Sequence, residues 1–156
     1  MDIAIGCDHR GLDLKRHLIG CLAEMGHTPL DMGCYDEGAV DYPDIAAATA
    51  GAVAQGRCRH GILICATGIG MSMAANKVPG VRAALCHQPL SASRSREHND
   101  ANVLCLGASG LGEDVATDIV KAYLEAEFEG GRHAARVEKI RAIESSTLDR
   151  ARPTLL

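Results

Sequence analysis

Aromatic residues are nearly missing from this chain: 156 residues include no tryptophan, one phenylalanine and three tyrosines. A core must therefore be aliphatic, and the scarcity argues against a surface that stacks nucleic-acid bases. Excess positive charge is missing too. Sixteen lysines and arginines face twenty carboxylates, a formal net charge of −4, so there is no basic footprint for a phosphate backbone and no nucleic-acid partner is expected. No apolar run approaches the roughly 20 residues of a membrane span, and Met1 leads into Ile3-Ala4-Ile5 without a signal-peptide pattern. A cytoplasmic protein with no membrane partner is the expectation. Cysteine is plentiful at seven, but odd in number and without a C-x-x-C pair, which suggests neither a disulfide framework nor a zinc ribbon. Most of these thiols are expected to be small buried hydrophobes.

What is present is an alternation of short apolar runs with amphipathic segments. Residues 2–7 read as a buried strand, followed by a helix from Leu12 with Lys15, Arg16 and Glu24 off its apolar face and Gly26 at its end. A short strand near Thr28–Met32 and a loop over Gly33–Val40 precede Asp41-Tyr42-Pro43, which caps an alanine-rich helix to about Gln55. The central strand ends at Cys65 and a glycine loop leads into a helix closing with Asn76-Lys77. Then come a strand over Val81–Cys86, a helix over Leu90–Glu97, a strand over Val103–Gly107 and helices over about 113–128 and 133–144. Strands alternating with helices predict an α/β fold with a parallel sheet covered on both faces. One domain is expected over 1–144, with 145–156 as a C-terminal tail. Ligands of such sheets bind beyond the carboxyl ends of the strands, which marks Asp8-His9, Cys65-Ala66-Thr67, Cys86-His87 and Ala108-Ser109 as a meeting place. His98-Asn99 precedes its strand, so this rule does not place it there.

The chemistry concentrates in Gly61–Lys77. Gly68-x-Gly70 lacks the third glycine of a dinucleotide fingerprint, Met73 standing in its place, and matches no P-loop. It suits a cradle for a carboxylate, a phosphate or a developing enolate, or simply a tight turn. Thiols facing a helix N-terminus ionise more readily, making Cys65 a candidate nucleophile or base. Thr67 either bonds a substrate oxygen or closes the turn. Asp8-His9 and His98-Asn99-Asp100 offer imidazoles beside acids or amides, as general acid–base work requires. Arg132 and Arg136, four apart, share a helix face and either grip one phosphate or are solvated charges. No His/Cys/Asp group has metal-ligand spacing, so no metal is expected.

These residues fall into motifs: Gly6-Cys7-Asp8-His9-x-Gly11-x-x-x-Lys15, Asp41-Tyr42-Pro43, Cys65-x-Thr67-Gly68-x-Gly70-x-x-x-Ala74-Ala75-Asn76-Lys77, His98-Asn99-Asp100-x-Asn102-Val103-Leu104 and Glu129-Gly130-Gly131-Arg132-His133. Together, from about Asp2 to Glu144, the chain resembles the type B ribose-5-phosphate isomerases and their relatives acting on galactose 6-phosphate and allose 6-phosphate. The resemblance implies a Rossmann-like three-layer αβα sandwich with a mainly parallel five-stranded sheet. It also implies a homodimer, sometimes paired into tetramers, and a cofactor-free, metal-free aldose–ketose isomerisation of a phosphorylated sugar through a cis-enediol.

By resemblance, Cys65 is the proton-transfer base, Thr67 with the backbone N–H groups around Gly68, Ile69 and Gly70 holds the enediolate, and Ala66 is a further substrate-binding residue. His98, aided by Asp8, opens the sugar ring and Asn99 binds substrate. His9, Arg132 and Arg136 are phosphate ligands, the arginines reaching across from the partner subunit, and Tyr42 lies near that pocket. One family branch uses a glutamate six residues after a serine at this position; here Cys65 is present and Met71 occupies the glutamate site. Two departures stand out: Ala66 replaces a common glycine, and Ser109 replaces a common substrate-binding arginine. The expected reaction is ribose 5-phosphate to ribulose 5-phosphate. The alternatives are the same chemistry on a tetrose or hexose phosphate (erythrulose 4-phosphate, allose 6-phosphate), or a non-catalytic phosphate- or nucleotide-binding module.

Overall fold

A computed structural model describes residues 1–151, with side chains to 147. Five strands, β1 (Asp2–Cys7), β2 (Thr28–Asp31), β3 (His60–Cys65), β4 (Ala83–Leu85) and β5 (Val103–Gly107), form one sheet in the order β2-β1-β3-β5-β4. Every pairing is parallel. The helices are α1 (Leu12–Glu24), α2 (Tyr42–Ala54), α3 (Ile69–Ala75), α4 (Pro89–Asn99), α5 (Glu113–Glu125) and α6 (Arg132–Ala151). No described helix is long and apolar enough to cross a membrane.

Strand alternation splits the core in two. Ile3, Ile5, Ile62, Ile64, Leu104 and Leu106 point to the face covered by α1, α4 and α5. Ala4, Leu63, Cys65, Val103 and Cys105 point to the other, against Ala46, Ala50 and Val53 of α2 and Met71 and Ala75 of α3. The result is the expected three-layer, Rossmann-like αβα sandwich. Side chains on the α2 face are small because α2 lies close: a Cβ on Gly6 would fall 2.6 Å from Thr49 Oγ1 and 2.7 Å from Ile45 Cγ2. The chain steps from β1 to β2 on one side and continues through β3, β5 and β4 on the other, so the order reverses between β1 and β3, where open α/β sheets bind ligands.

Several boundaries differ from the sequence expectation. Helix α4 continues through His98 and Asn99, α5 ends at Glu125, and α6 runs through residues 145–151, where a tail is expected. The rest of that expected tail, 152–156, lies outside the described residues. Strand β4 is shorter than Val81–Cys86 because side-chain amides take over its ends. Asn76 Nδ2 donates to Ala83 O and Ala83 N to Asn76 Oδ1, both at 2.9 Å, so this amide stands where a further strand would pair and blocks the sheet edge. Asn102 Oδ1 likewise accepts Arg82 N at 2.8 Å. Lys15, expected off the apolar face, is 1% exposed. Its ammonium pairs with Asp31 and donates to the Cys34 carbonyl at 2.6 Å, tying α1 to the segment after β2. A buried ammonium needs such partners, and no periodicity rule reveals them.

His60 opens β3 as a buried imidazole 3.4 Å from the Tyr123 hydroxyl. Burial, then the Arg96 guanidinium, pushes its pKa down to about 4. The unfolded chain therefore binds this proton more readily than the folded one, so the contribution is complete above about pH 6.5 and is lost as pH falls toward 4. Urea titrations across this range are expected to show His60→Gln losing about 3 kcal/mol less stability between pH 7 and 4 than the parent. Parallel losses would show that His60 does not titrate this way.

Candidate active site

The parallel register sets the carboxyl ends of β1, β3 and β5 side by side. Asp8 N donates to Ile64 O at 3.1 Å, Ala108 N to Cys65 O at 2.8 Å and Ser109 N to Ala66 O at 2.9 Å, so the ladders extend into the loops. Cys65, 5% exposed, ends β3 and its Sγ accepts the Gly68 N–H at 3.1 Å. Gly68 has φ +74°, and a Cβ there would meet Leu85 Cδ1 at 2.5 Å and the Leu106 carbonyl carbon at 2.9 Å. A Cβ on Gly107 would meet the Thr67 carbonyl at 2.8 Å. The two glycines let the loop rest directly on β5. The exposed Thr67 accepts the Ile69 N–H on Oγ1 at 3.3 Å, closing the turn while leaving its own hydroxyl proton free. Tyr42 covers Gly70, whose hypothetical Cβ would lie 2.6 Å from the ring.

Beside this loop, Asp8 is 7% exposed and its Oδ1 accepts the Arg10 N–H at 2.9 Å. His9 is half-buried, and its Nδ1 is buried with no hydrogen-bond partner among the described residues. A cleft of about 330 Å³ opens beside the loop, lined by Ala66, Thr67, Ile69, His87, Ser109 and Leu111 among others. The strand-end rule marks His87 and Ser109 without giving either a chemical role; that they share one cleft with the Cys65 loop becomes visible only when β4 is seen beside β5.

The remaining candidates gather elsewhere. Helix α4 has 11 residues and returns about 15 Å from the carboxyl end of β4 toward the amino end of the sheet, carrying His98 and Asn99 away from Cys65. Asp100, at φ +48°, ends α4. Its carboxylate bridges Arg82 at 2.8 Å and Arg96 at 2.9 Å, so it fixes the helix end and is not the acid partner of His98. His98 stacks on His133 with centroids 4.2 Å apart and planes at 2°. Arg132 and Arg136 begin α6 next to this stack, both exposed. Asp8 and His98, expected to cooperate, thus belong to separate clusters within one chain.

Sequence spacing also hid one grouping: ligand atoms of His98, Glu129 and His133 lie within 4.8 Å of one another. Arg94 Nη1 is 3.3 Å from His98 Nε2, and Arg132 Nε donates to His133 Nε2 at 3.4 Å, so two guanidiniums share this cluster with the Glu129 carboxylate, which lies 3.5 Å from His133 Nε2. Burial, then His98 and Arg132, lower the His133 pKa.

A thiol on a glycine turn at the switch point of a parallel sheet, without a dinucleotide fingerprint, defines a Rossmann-like small-molecule enzyme site. Residues 3–140 match the family model described as Ribose/Galactose Isomerase, and the chain belongs to that family. It is 50% identical over 142 residues to ribose-5-phosphate isomerase B of Escherichia coli, covering 91% of this chain and 95% of that protein. It is 46% identical over 142 residues to D-erythrulose-4-phosphate isomerase of Pectobacterium atrosepticum, covering 90% and 93%. Its fold matches the solved ribose-5-phosphate isomerase B of Clostridium thermocellum with TM-score 0.93 and 52% identity, covering 94% of this chain and 99% of that one.

The clamp on the loop generates a test. Gly68→Ala combines a left-handed backbone with a collision and is expected to cost ~2 kcal/mol or more in urea unfolding. Gly26→Ala, at φ +78° with open space around its Cβ, should cost only about 1 kcal/mol. Equal costs would mean that the loop does not press on β5.

Proposed function

We propose that the chain interconverts ribose 5-phosphate and ribulose 5-phosphate through a cis-enediol, with Cys65 as the base and each site shared by two copies of the chain. The aldose–ketose isomerase class follows from the family. The observation that carries the finer reading is the Cys65 sulfur at the strand end, accepting the Gly68 amide beside Asp8. As a thiolate, Cys65 takes the proton from C2 of the ring-opened aldose, leaving an enediolate whose negative charge lies on oxygen. The Thr67 hydroxyl and amides of the Gly68–Gly70 turn hydrogen-bond that oxygen. The thiol then returns the proton to C1, while a proton moves from the C2 hydroxyl to the C1 oxygen, giving the ketose. No atom is gained or lost.

Ring opening needs an acid–base group near Asp8, and the phosphate needs fixed cations. His98, Asn99, Arg132 and Arg136 are suited to these tasks but lie at the other end of the same chain, so the reading assigns them to the partner's site. His9, with its unpartnered Nδ1, joins the partner's Arg132 and the partner's Arg136 around the phosphate. Exposed apolar side chains on the helices that carry or follow these groups, Ile69 and Met73 of α3 and Ile140 and Ile143 of α6, supply a surface for a second copy. A cytoplasmic role in pentose phosphate metabolism accompanies this reading. Ser109 and the erythrulose-4-phosphate relative favour one second reading, the same chemistry on a four-carbon sugar phosphate.

Incubation with ribose 5-phosphate in deuterated water tests the chemistry. The parent is expected to incorporate solvent deuterium at C2 of the aldose, and Cys65→Ala to lose roughly 10²–10⁴-fold in kcat while still binding the sugar phosphate. Undiminished turnover by Cys65→Ala would remove Cys65 from the mechanism.

A further inference from the structure

The cleft beside the Cys65 loop has a second wall that the proposed chemistry does not use. One wall is Ala66, Thr67 and Ile69; facing it are His87, which follows β4, and Ser109, which follows β5. Both are exposed, and neither side chain has a hydrogen-bond partner or an ion pair among the described residues. Their positions are nevertheless fixed. Ser109 N donates to Ala66 O at 2.9 Å, and Cys86 N donates to Cys105 O at 3.1 Å immediately before His87. Two unpartnered hydrogen-bonding groups thus hang from rigid strand ends, within one cleft of about 330 Å³ that includes Thr67. No described lysine or arginine lines this cleft, so what it holds is recognised there by hydrogen bonds and not by a fixed cation.

We infer that His87 is a specificity-determining residue whose imidazole hydrogen-bonds oxygen atoms of the phosphorylated sugar bound between it and Thr67, with the Ser109 hydroxyl sharing the contact. The inference rests on the isomerase reading and adds to it the group that recognises the substrate on the open side of the reacting loop. Neither Cys65 nor Asp8 lines this cleft, so His87 meets a part of the sugar other than the reacting carbons and binds ground state and transition state alike. Such a contact changes KM and leaves kcat alone.

Steady-state kinetics with ribose 5-phosphate and with a four-carbon sugar phosphate test this on the parent, His87→Ala, His87→Gln, Ser109→Arg and the His87→Ala/Ser109→Arg double variant. His87→Ala is expected to raise KM for the better substrate roughly 5- to 10-fold, the loss of one hydrogen bond, with kcat within about two-fold of the parent. His87→Gln, which keeps an N–H near the imidazole Nε2 position, recovers most of that loss. Because the guanidinium introduced by Ser109→Arg enters the same cleft and takes over the contact, His87→Ala costs less than about two-fold in that background. An unchanged KM in His87→Ala, a fall in kcat alone, or a penalty undiminished by Ser109→Arg would each overturn the inference while normal turnover by the parent preserves the isomerase reading. No turnover of either sugar phosphate by the parent would overturn both.

Discussion

The site depends on the clamp that holds residues 65–68 between β5 and α3. The Cys65 carbonyl takes the Ala108 amide, the Cys65 sulfur takes the Gly68 amide, and Gly68 and Gly107 let the loop lie on β5 with no side chain between. Each contact fixes one end of the turn, and the thiol keeps its direction through the single hydrogen bond that the Gly68 amide donates to it. The neighbouring ladder does the same for Asp8, whose amide is bound to the Ile64 carbonyl. Two candidate site residues from distant parts of the sequence thereby have their backbones set by hydrogen bonds that depend little on side-chain identity.

Much of this was legible in the sequence. The apolar runs at 2–7, 62–65 and 103–107 carry the parallel sheet, and the strand-end rule marks Asp8, Cys65, His87 and Ser109. Long-range partnerships were not legible. Lys15 reads as a solvated helix charge until β2 brings Asp31 and Cys34 to it. Asn76 reads only as the close of a helix, and Asn102 as one residue of a motif, until β4 is seen as an edge whose free amides and carbonyls they fill. Asp100 reads as an acid beside a histidine, yet two arginines claim its carboxylate. In each case a polar group's partner is decided by tertiary packing, and local periodicity carries no trace of it.

The division of the candidate residues has the largest functional consequence. Sequence order puts His98 and Asn99 just ahead of β5, but a helix running antiparallel to the strands necessarily delivers its last turn to the opposite end of the sheet from the Cys65 loop. Arg132 and Arg136 follow them there because α6 packs beside that end of α4, with His133 stacked on His98. If Cys65 is the base and Arg132 and Arg136 hold the phosphate, the chain either uses two unrelated sites or completes each site with a second copy, and the proposed function takes the second course. The anchoring half would then be contributed intact, since the imidazole stack, Glu129 and the arginines already form one cluster.

Subunit complementation tests this account most directly. Heterodimers purified from co-expressed Cys65→Ala and Arg136→Ala protomers contain one site with both groups intact if the halves come from different chains. The account predicts activity near half that of the parent dimer, although either variant alone is strongly impaired. Verified heterodimers no more active than the mean of the two variant homodimers would contradict it, and would mean that each site is built within a single chain.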